Sequence, residues 1–264
     1  MIDLHSHILP GFDDGAADIS ESLVIARKYI EAGFHTVVAT PHFVPGTAWK
    51  PSPDKIRTAV DTLNKLLEKD GIGLKVIPGM EIALDPAISS LAKQRLLLTL
   101  NDSGYLLVEL PFQQVPFGWK ELLLKLQLQG LHILIAHPER CAHLINNPHI
   151  AEELVDAGFY LQVNWGSLAG MNGKASRQTA FKFAAMGLIH CLAVDSHNGQ
   201  SRNAAVVTNN LESVSHTLGN TNIELLCKNN PEKVLRGDSL EKMQPVEYRS
   251  VRTKRVWWRP WAKR

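Results

Sequence analysis

Short apolar runs alternate with longer amphipathic segments along this 264-residue chain, and that alternation constrains the fold more than any other feature. Seven runs are candidate strands, at residues 2–5, 35–40, 74–81, 105–109, 131–136, 159–163 and 190–195. The segment after the first run predicts a helix, because Asp18 and Glu21 are spaced as a capping box and Gly33 supplies a stop. Strands that alternate with helices pair in parallel, and near-continuously apolar strands are buried on both faces. We therefore predict an α/β fold with parallel strands.

Polar side chains follow the carboxyl ends of these runs. They are His5, His7, His42, Glu81, Glu109, His137, Asn164, Asp195 and His197. In an open sheet the outermost strands would lie roughly 25 Å apart, at about 4.8 Å per strand, and these groups would not meet. No G-x-G-x-x-G or Walker loop, the signature of nucleotide-binding open sheets, follows any run. A distorted seven-stranded, TIM-like (β/α)7 barrel gathers all of them at one mouth, where such folds carry their chemistry, so we predict that barrel over residues 1–245.

Charge and cysteine content exclude several classes of protein. After Glu247 the chain has seven Lys or Arg and no acidic residue, although its net charge is only +2, so the part before this tail is acidic. An acidic body argues against nucleic acid as the ligand. The three cysteines, Cys141, Cys191 and Cys227, are widely spaced and none begins a C-x5-R motif, so we interpret them as small buried residues. Neither a signal peptide nor an apolar stretch of about 18 residues is evident, which predicts a cytoplasmic protein.

The His-x-His pair at the first strand end indicates a metal site. Side chains alternate along a strand, so His5 and His7 point to the same side. Glu81, Glu109 and Asp195 at other strand ends add oxygen ligands, and mixed nitrogen and oxygen ligands suit divalent first-row metals. Without cations, each buried carboxylate would cost several kcal/mol. We therefore predict a multinuclear metal site.

Two arginines stand close behind candidate ligands, Arg140 in AHPER and Arg202 in DSHNGQSRN. The planar guanidinium group matches phosphate oxygens, so both predict phosphate binding; the alternative is pairing with a neighbouring carboxylate such as Glu139. Six other histidines are expected to be structural or to face solvent. They are His35, His132, His143, His149, His190 and His216.

Six segments, in order along the chain, carry a family resemblance. They read DLHSHILPGFDDG, ATPHF, PGMEI, VELP, AHPER and AVDSHN. These segments resemble the successive motifs of the polymerase and histidinol phosphatase (PHP) superfamily. More narrowly, they resemble its manganese-dependent bacterial protein tyrosine phosphatases of capsule and exopolysaccharide operons. The resemblance extends from the first residue to about residue 240.

The resemblance implies a trinuclear Mn²⁺ centre, with Fe, Mg, Co or Zn as alternatives at some sites. The first metal would be held by His5, His7, Asp195 and Glu81, the second by Glu81 as a bridge with Glu109 and His137, and the third by Asp14, His42 and His197. Arg140 and Arg202 correspond to the family's phosphate-binding arginines. Asp13 has no counterpart in the pattern.

The implied reaction is hydrolysis of phosphotyrosine on bacterial proteins by attack of a metal-bridging hydroxide. Enzymes accelerate phosphate-monoester hydrolysis by up to ~10²¹-fold, more than positioning and acid–base catalysis supply, which favours metals and arginines acting on the phosphoryl oxygens. His42 or a metal-bound water is the candidate proton donor. The expected substrate is an autophosphorylated, membrane-associated tyrosine kinase that controls capsule or exopolysaccharide synthesis.

Three other functions stay open. A histidinol-phosphate or small-molecule phosphomonoesterase of the same superfamily would use the same metal ligands. Four phenylalanines are candidates for a phenyl slot that would discriminate between the two, namely Phe12, Phe43, Phe112 and Phe117. An amidohydrolase barrel also begins with His-x-His, but it usually has eight strands and a lysine where Glu109 stands. A non-catalytic binding module would be expected to have lost metal ligands, and none of the expected ligands is missing from this sequence.

The C-terminal tail, residues 246–264, combines seven basic residues with Trp257, Trp258 and Trp261. It is expected to be either a solvated end or a contact to a membrane surface or an acidic partner.

Overall fold

The computed structural model describes residues 1–247. The strands are β1 (Ile2–Ser6), β2 (Thr36–Ala39), β3 (His42–Phe43), β4 (Lys75–Pro78), β5 (Glu81–Ala83), β6 (Tyr105–Glu109), β7 (His132–Ala136), β8 (Tyr160–Asn164) and β9 (Cys191–Ala193). The α-helices are α1 (Ile19–Glu31), α2 (Pro53–Lys69), α3 (Ile88–Lys93), α4 (Trp119–Gln127), α5 (Ala142–Asn146), α6 (Ile150–Asp156), α7 (Trp165–Ala169), α8 (Gly173–Ala185), α9 (Ala205–Leu218), α10 (Asn220–Glu224) and α11 (Asn230–Arg236). Each of the seven predicted apolar runs contains at least part of a strand.

The strands pair in parallel in two sheets. One sheet has the order β1-β2-β4 and the other the order β3-β5-β6-β7-β8-β9. The predicted α/β fold with parallel strands is therefore confirmed, but a single seven-stranded barrel is not, because the ladder is divided. The division falls at Pro41, between β2 and β3, and at Pro78, where β4 ends before β5. Proline has no amide hydrogen and cannot donate to a ladder.

Hydrogen bonds bring the first strand of one sheet beside the last strand of the other. The amide of Asp195 donates to the carbonyl of His5 at 3.1 Å, and the amide of His7 donates to the carbonyl of Ser196 at 2.8 Å. The buried carboxylate of Asp3 accepts from the amide of Val194 at 3.2 Å. The carboxyl ends of strands from both sheets therefore reach one region.

Helix α1 begins as its sequence predicts. The Asp18 carboxylate accepts from the amide of Glu21 at 3.0 Å, and the Glu21 carboxylate accepts from the amide of Ala17 at 3.0 Å. Gly33 follows the helix with φ at 80°, a conformation that favours glycine. The capping box and the stop are both confirmed.

Two apolar clusters fill the molecule. The larger one packs helices such as α1 and α2 against the sheets, and the smaller one contains Val38, Ile77, Leu107 and Leu134 from β2, β4, β6 and β7. Glu81 is the parallel partner of Leu107, so its side chain lies on the sheet face that carries the smaller cluster. The three cysteines are buried and unpaired, as predicted.

No helix within residues 1–247 is long and apolar enough to cross a bilayer. The tail from residue 248 onward lies outside the described residues, so the expectations for it stay predictions. The cytoplasmic location also stays a prediction.

Candidate metal centre

The nine predicted metal-ligating residues come together at the carboxyl ends of the strands. They are His5, His7, Asp14, His42, Glu81, Glu109, His137, Asp195 and His197. Most of their side chains are buried, and Asp14, in the loop after β1, is the most exposed at 45%. Residues far apart in sequence therefore form one cluster of imidazoles and carboxylates.

Glu81, the first residue of β5, lies at the centre of this cluster. Its Oε2 atom is 3.2 Å from His5 Nε2, 3.3 Å from His7 Nε2 and 3.0 Å from His42 Nδ1. Its Oε1 atom is 3.0 Å from His137 Nε2. Oε2 is buried and makes no hydrogen bond with any described residue. A buried carboxylate oxygen left without a hydrogen bond, with imidazole nitrogens around it, fits a divalent cation as the missing partner.

A second group of ligand atoms surrounds Asp14. Its Oδ1 atom is 3.5 Å from His42 Nε2 and 3.4 Å from His197 Nε2. The rings of His7 and His197 lie 3.9 Å apart between centroids. Ligand atoms of His7, Asp14, His42 and His197 all fall within 4.8 Å of one another. The predicted third metal set is thus brought together, and His7 joins it.

Two further groups meet the same distance limit, one of His5, His7 and Glu81 and the other of His42, Glu81 and Glu109. Asp195 Oδ1 lies 3.4 Å from His5 Nε2, and Glu109 Oε1 lies 3.6 Å from His137 Nε2.

These three groups of neighbouring ligand atoms combine the residues of the three predicted metal sets in a different way. His7, His42 and Glu81 each belong to two groups.

Both predicted phosphate-binding arginines face Asp195. Arg140 Nη1 donates to Asp195 Oδ2 at 3.0 Å, and Arg202 Nη2 donates to the same oxygen at 3.3 Å. Their side chains stay partly exposed, at 22% and 42%. Arg140 therefore pairs with Asp195 rather than with Glu139. Glu139 is buried and accepts from Ser167 Oγ at 2.6 Å.

The cluster shifts the pKa values of its members in opposite directions. Burial opposes the charge of His5, but the carboxylates of Glu81 and Asp195 outweigh it and raise its pKa to about 9. Burial, reinforced by the Glu81 carboxylate, raises the pKa of Glu109 to about 7. The hydrogen bond from His197 lowers the pKa of Asp14 to about 2. Strongly shifted groups around one pocket are typical of a functional site.

Two members of the cluster hold strained backbone. His137 has φ at 30° and Asp195 has φ at 56°, both in the left-handed region that favours glycine. Such conformations persist where the surrounding structure enforces them, and they concentrate at functional sites.

The structure also assigns a place to Asp13, which sequence reasoning left unassigned. Its Oδ2 atom accepts from His7 Nδ1 at 2.7 Å and from the amide of His42 at 2.8 Å, and its Oδ1 atom accepts from the amide of Gly15 at 2.9 Å. A Cβ atom on Gly15 would collide with the backbone of His7. Asp13 therefore fixes the His7 ring so that Nε2 faces the cluster.

Two amides support the opposite side of the cluster in the same way. Gln162 Oε1 lies 2.9 Å from His5 Nδ1, and Gln162 Nε2 donates to Asn164 Oδ1 at 2.7 Å. Asn164 Nδ2 donates to Asp195 Oδ2 at 2.9 Å. Asn164 stands at a predicted strand end, whereas no signal in the sequence singles out Gln162.

The aromatic residues near the cluster differ from those predicted to form a slot for the substrate phenyl ring. Phe43 is buried in the core, Phe12 lies beneath Lys55 Nζ at 5.2 Å, and Phe117 is fully exposed. Phe112 alone of the four lines the pocket of the cluster. Trp49, not predicted, stacks on His42 with centroids 5.4 Å apart and rings 10° from parallel.

Known proteins share this sequence and fold. Residues 1–236 match the family model described as Capsular polysaccharide synthesis, CpsB/CapC. This chain belongs to the CpsB/CapC family. The resemblance predicted from the six motifs is thereby confirmed.

Two curated relatives cover most of the chain. Tyrosine-protein phosphatase YwqE of Bacillus subtilis (strain 168) is 42% identical over 203 residues, which are 77% of this chain and 80% of YwqE. Tyrosine-protein phosphatase CpsB of Streptococcus pneumoniae is 30% identical over 246 residues, which are 89% of this chain and 98% of CpsB.

Solved structures share the fold. One, from a study of YwqE and CpsB as unique metal-dependent tyrosine phosphatases, is similar with a TM-score of 0.83 at 38% identity and covers 94% of this chain and 100% of its own. Histidinol phosphate phosphatase from Lactococcus lactis, solved with zinc, is similar with a TM-score of 0.52 at 13% identity over 82% of this chain and 94% of its own. The second likeness is one of fold alone.

Proposed function

We propose that this protein is a metal-dependent protein-tyrosine phosphatase that hydrolyses phosphotyrosine on bacterial proteins. The observation that carries the proposal is the buried Glu81 Oε2 atom, which has three imidazole nitrogens at 3.0 to 3.3 Å and no hydrogen bond within the described residues. Two arginines reach the same pocket. The names of the relatives YwqE and CpsB support the substrate class.

The nine clustered residues would hold the metal ions, with Mn²⁺ as the proposed metal and Fe, Mg, Co or Zn as alternatives at some sites. When bound, such ions supply a water nucleophile of lowered pKa and neutralise charge on phosphoryl oxygens. The supporting hydrogen bonds to His5 and His7 hold each Nε2 toward the centre before any ion binds.

Arg140 and Arg202 would bind the phosphoryl oxygens. Both guanidinium groups converge on one oxygen of Asp195 while remaining partly exposed, so they are held facing the same place. The arginine fork presents parallel donors to a tetrahedral phosphate, and such donors stabilise charge that develops during transfer. Holding the ester in one orientation is a further contribution to the rate.

Tyrosine is a good leaving group for this site. Its phenolate has a pKa near 10, so departure requires less protonation than departure of a serine alkoxide. His42 has Nδ1 at 3.0 Å from Glu81 and Nε2 at 3.5 Å from Asp14, which favours a ligand role for this ring. Its role as proton donor stays a prediction.

The finer assignments belong to the same proposal. The substrate would be an autophosphorylated, membrane-associated tyrosine kinase of capsule or exopolysaccharide synthesis, encountered in the cytoplasm. We propose that the two sheets act as one distorted barrel over residues 1–245, supported by the hydrogen bonds between His5 and Asp195 and between His7 and Ser196. The tail, residues 246–264, would contact the membrane or the kinase.

The proposal is tested by removing and restoring metal. Protein treated with a chelator is expected to lose phosphatase activity on a phosphotyrosine peptide and to regain it with Mn²⁺, because the buried carboxylates need a cation. Elemental analysis reports the metal content before and after. Full activity in metal-free protein, or higher kcat/KM on histidinol phosphate than on the peptide, would contradict the proposal.

A further inference from the structure

The pocket of the metal centre has one apolar wall. Nine of the ten described residues that line it are charged or ionisable, and the tenth is Phe112. This ring is 38% exposed, unlike the phenylalanines of the core. Among the described residues that line the pocket, Phe112 is therefore the one that offers a substrate an apolar surface.

The Phe112 ring is fixed between a phosphate-binding group and a metal-ligand candidate. The guanidinium carbon of Arg140 lies 4.5 Å from its centroid, within the range of a cation–π contact. The imidazole of His137 lies 5.6 Å away at an angle of 40°. The carbonyl of Phe112 accepts from the amide of Ala142 at 2.7 Å, which ties its loop to the start of α5.

A phosphate group held by Arg140 brings its ester substituent next to this ring, because a single oxygen links phosphorus to the substituent. We propose that Phe112 is a specificity-determining residue for aryl phosphate esters, its exposed edge receiving the phenyl ring of phosphotyrosine. Aromatic rings attract each other in edge-to-face or offset arrangements beyond what their buried area provides. A serine phosphate has no ring to place there. The inference rests on the proposed phosphatase function.

A neighbouring pocket is the competing position for the ring. Arg202 lines it as well, and Met171 is its most exposed apolar residue. It shares only Arg202 and Asp195 with the pocket of the metal centre, whereas Phe112 contacts Arg140 directly. Phe112 is therefore the better placed of the two.

The test uses the metal-loaded protein with Phe112→Ala, and with Phe117→Ala as a matched control, since Phe117 follows on the same loop and does not line the pocket. The readouts are kcat/KM on a phosphotyrosine peptide and its phosphoserine counterpart, and dissociation constants of phenylphosphonate and methylphosphonate. For Phe112→Ala, the aryl-to-alkyl ratio is expected to fall about tenfold in both assays. Phe117→Ala should leave it unchanged, and Phe112→Tyr should restore it.

An unchanged aryl-to-alkyl ratio in Phe112→Ala would overturn the inference. So would a fall in that ratio in Met171→Ala instead. Equal weakening of phenylphosphonate, methylphosphonate and inorganic phosphate would also overturn it, because Phe112 would then act only by holding Arg140. If the wild-type protein is active and either result is found for the variants, only the inference is refuted and the proposed function stands. A wild-type protein inactive on phosphotyrosine peptides refutes the proposed function and the inference with it.

Discussion

His5 and His190, two buried histidines at opposite ends of the parallel strands, have opposite electrostatic character. At the carboxyl end, His5 is fully buried, and the Glu81 and Asp195 carboxylates overcome the effect of burial and raise its pKa to about 9. At the amino end, His190 is 2% exposed, and burial, helped by the charge of Lys242, lowers its pKa to about 4. Because burial is nearly the same, the neighbouring carboxylates decide the direction.

The partners at the amino end are aromatic rings and backbone. His132 stacks on Tyr105 with centroids 4.7 Å apart, and His190 meets Tyr160 edge to face at 5.0 Å. His190 Nδ1 accepts from the amide of Leu161 at 3.2 Å, which requires a neutral acceptor nitrogen. A histidine at a strand end therefore indicates a metal only where carboxylates converge on it.

Glu81→Gln is the change expected to have the largest effect on this contrast. The side chain keeps its size but loses the charge that four imidazoles face, so metal content should fall and kcat/KM on a phosphotyrosine peptide should drop by about 10³-fold or more. Elemental analysis and steady-state kinetics measure the two effects. His132→Gln, a change at the opposite end, should leave metal content as in wild type. A fully active, metal-loaded Glu81→Gln protein would show that the metal site at the carboxyl ends of the strands does not need the negative charge of Glu81.

His190→Gln tests the amino end through the pH dependence of folding. The pKa of His190 is about 4 in the folded protein and about 6.5 in the unfolded chain. Below pH 6.5 the unfolded chain therefore binds a proton that the folded state excludes, and this favours unfolding. The contribution of neutral His190 to the free energy of unfolding is complete above pH 6.5 and is lost as the pH falls toward 4. Wild type should lose about 2 kcal/mol more than the variant between about pH 7 and about pH 4.5.

Urea unfolding of metal-free protein at both pH values measures this difference, and it separates His190 from histidines that ligate metal because the variant retains all of those. Equal losses in wild type and His190→Gln would mean that His190 is not held neutral, and the contrast between the two ends would fail.

The sequence predicted the parts of this molecule that depend on periodicity and on the chemistry of strand ends. Apolar runs placed strands because burial on both faces requires them, and His5 and His7 point the same way, with Nε2 atoms 3.2 Å apart. Gathering of eight of the nine candidate ligands followed from parallel strands, whose carboxyl ends share one side, whereas Asp14 came from the family resemblance. The division into two sheets was not predicted, since the effect of Pro41 and Pro78 on the ladder depends on the neighbouring strands.

Long-range partners were the part that the sequence did not reveal. Asp3 precedes His5 by two residues, but the pairing register shifts between Asp3 and Ser6, and the Asp3 carboxylate accepts from Tyr29 Oη at 2.6 Å and from the amide of Val194, just after β9, at 3.2 Å. Gln162 looks like any polar residue in a strand until His5 is placed beside it. Adjacent Asp13 and Asp14 have the same chemistry, and only the folded loop separates their roles.

Asp13→Asn is expected to have a smaller effect on metal binding than Glu81→Gln, and it tests whether Asp13 and Asp14 have separate roles. Asp13 accepts hydrogen bonds from His7 Nδ1 and from two backbone amides, of His42 and Gly15. An asparagine NH₂ group would face one of these donors, so the His7 ring would lose its fixed orientation. Metal affinity, measured by competition with a chelator, should fall about 10- to 100-fold, as when other supporting residues of metal sites are changed.

The matched control is Asp18→Asn, the same chemical change at the helix cap of α1, where asparagine caps as well as aspartate. It should bind metal as wild type does. If Asp13→Asn also bound metal with wild-type affinity, orientation of His7 would come from the cluster alone. The carboxyl end would then differ from the amino end only in its ligands, not in the residues that hold them.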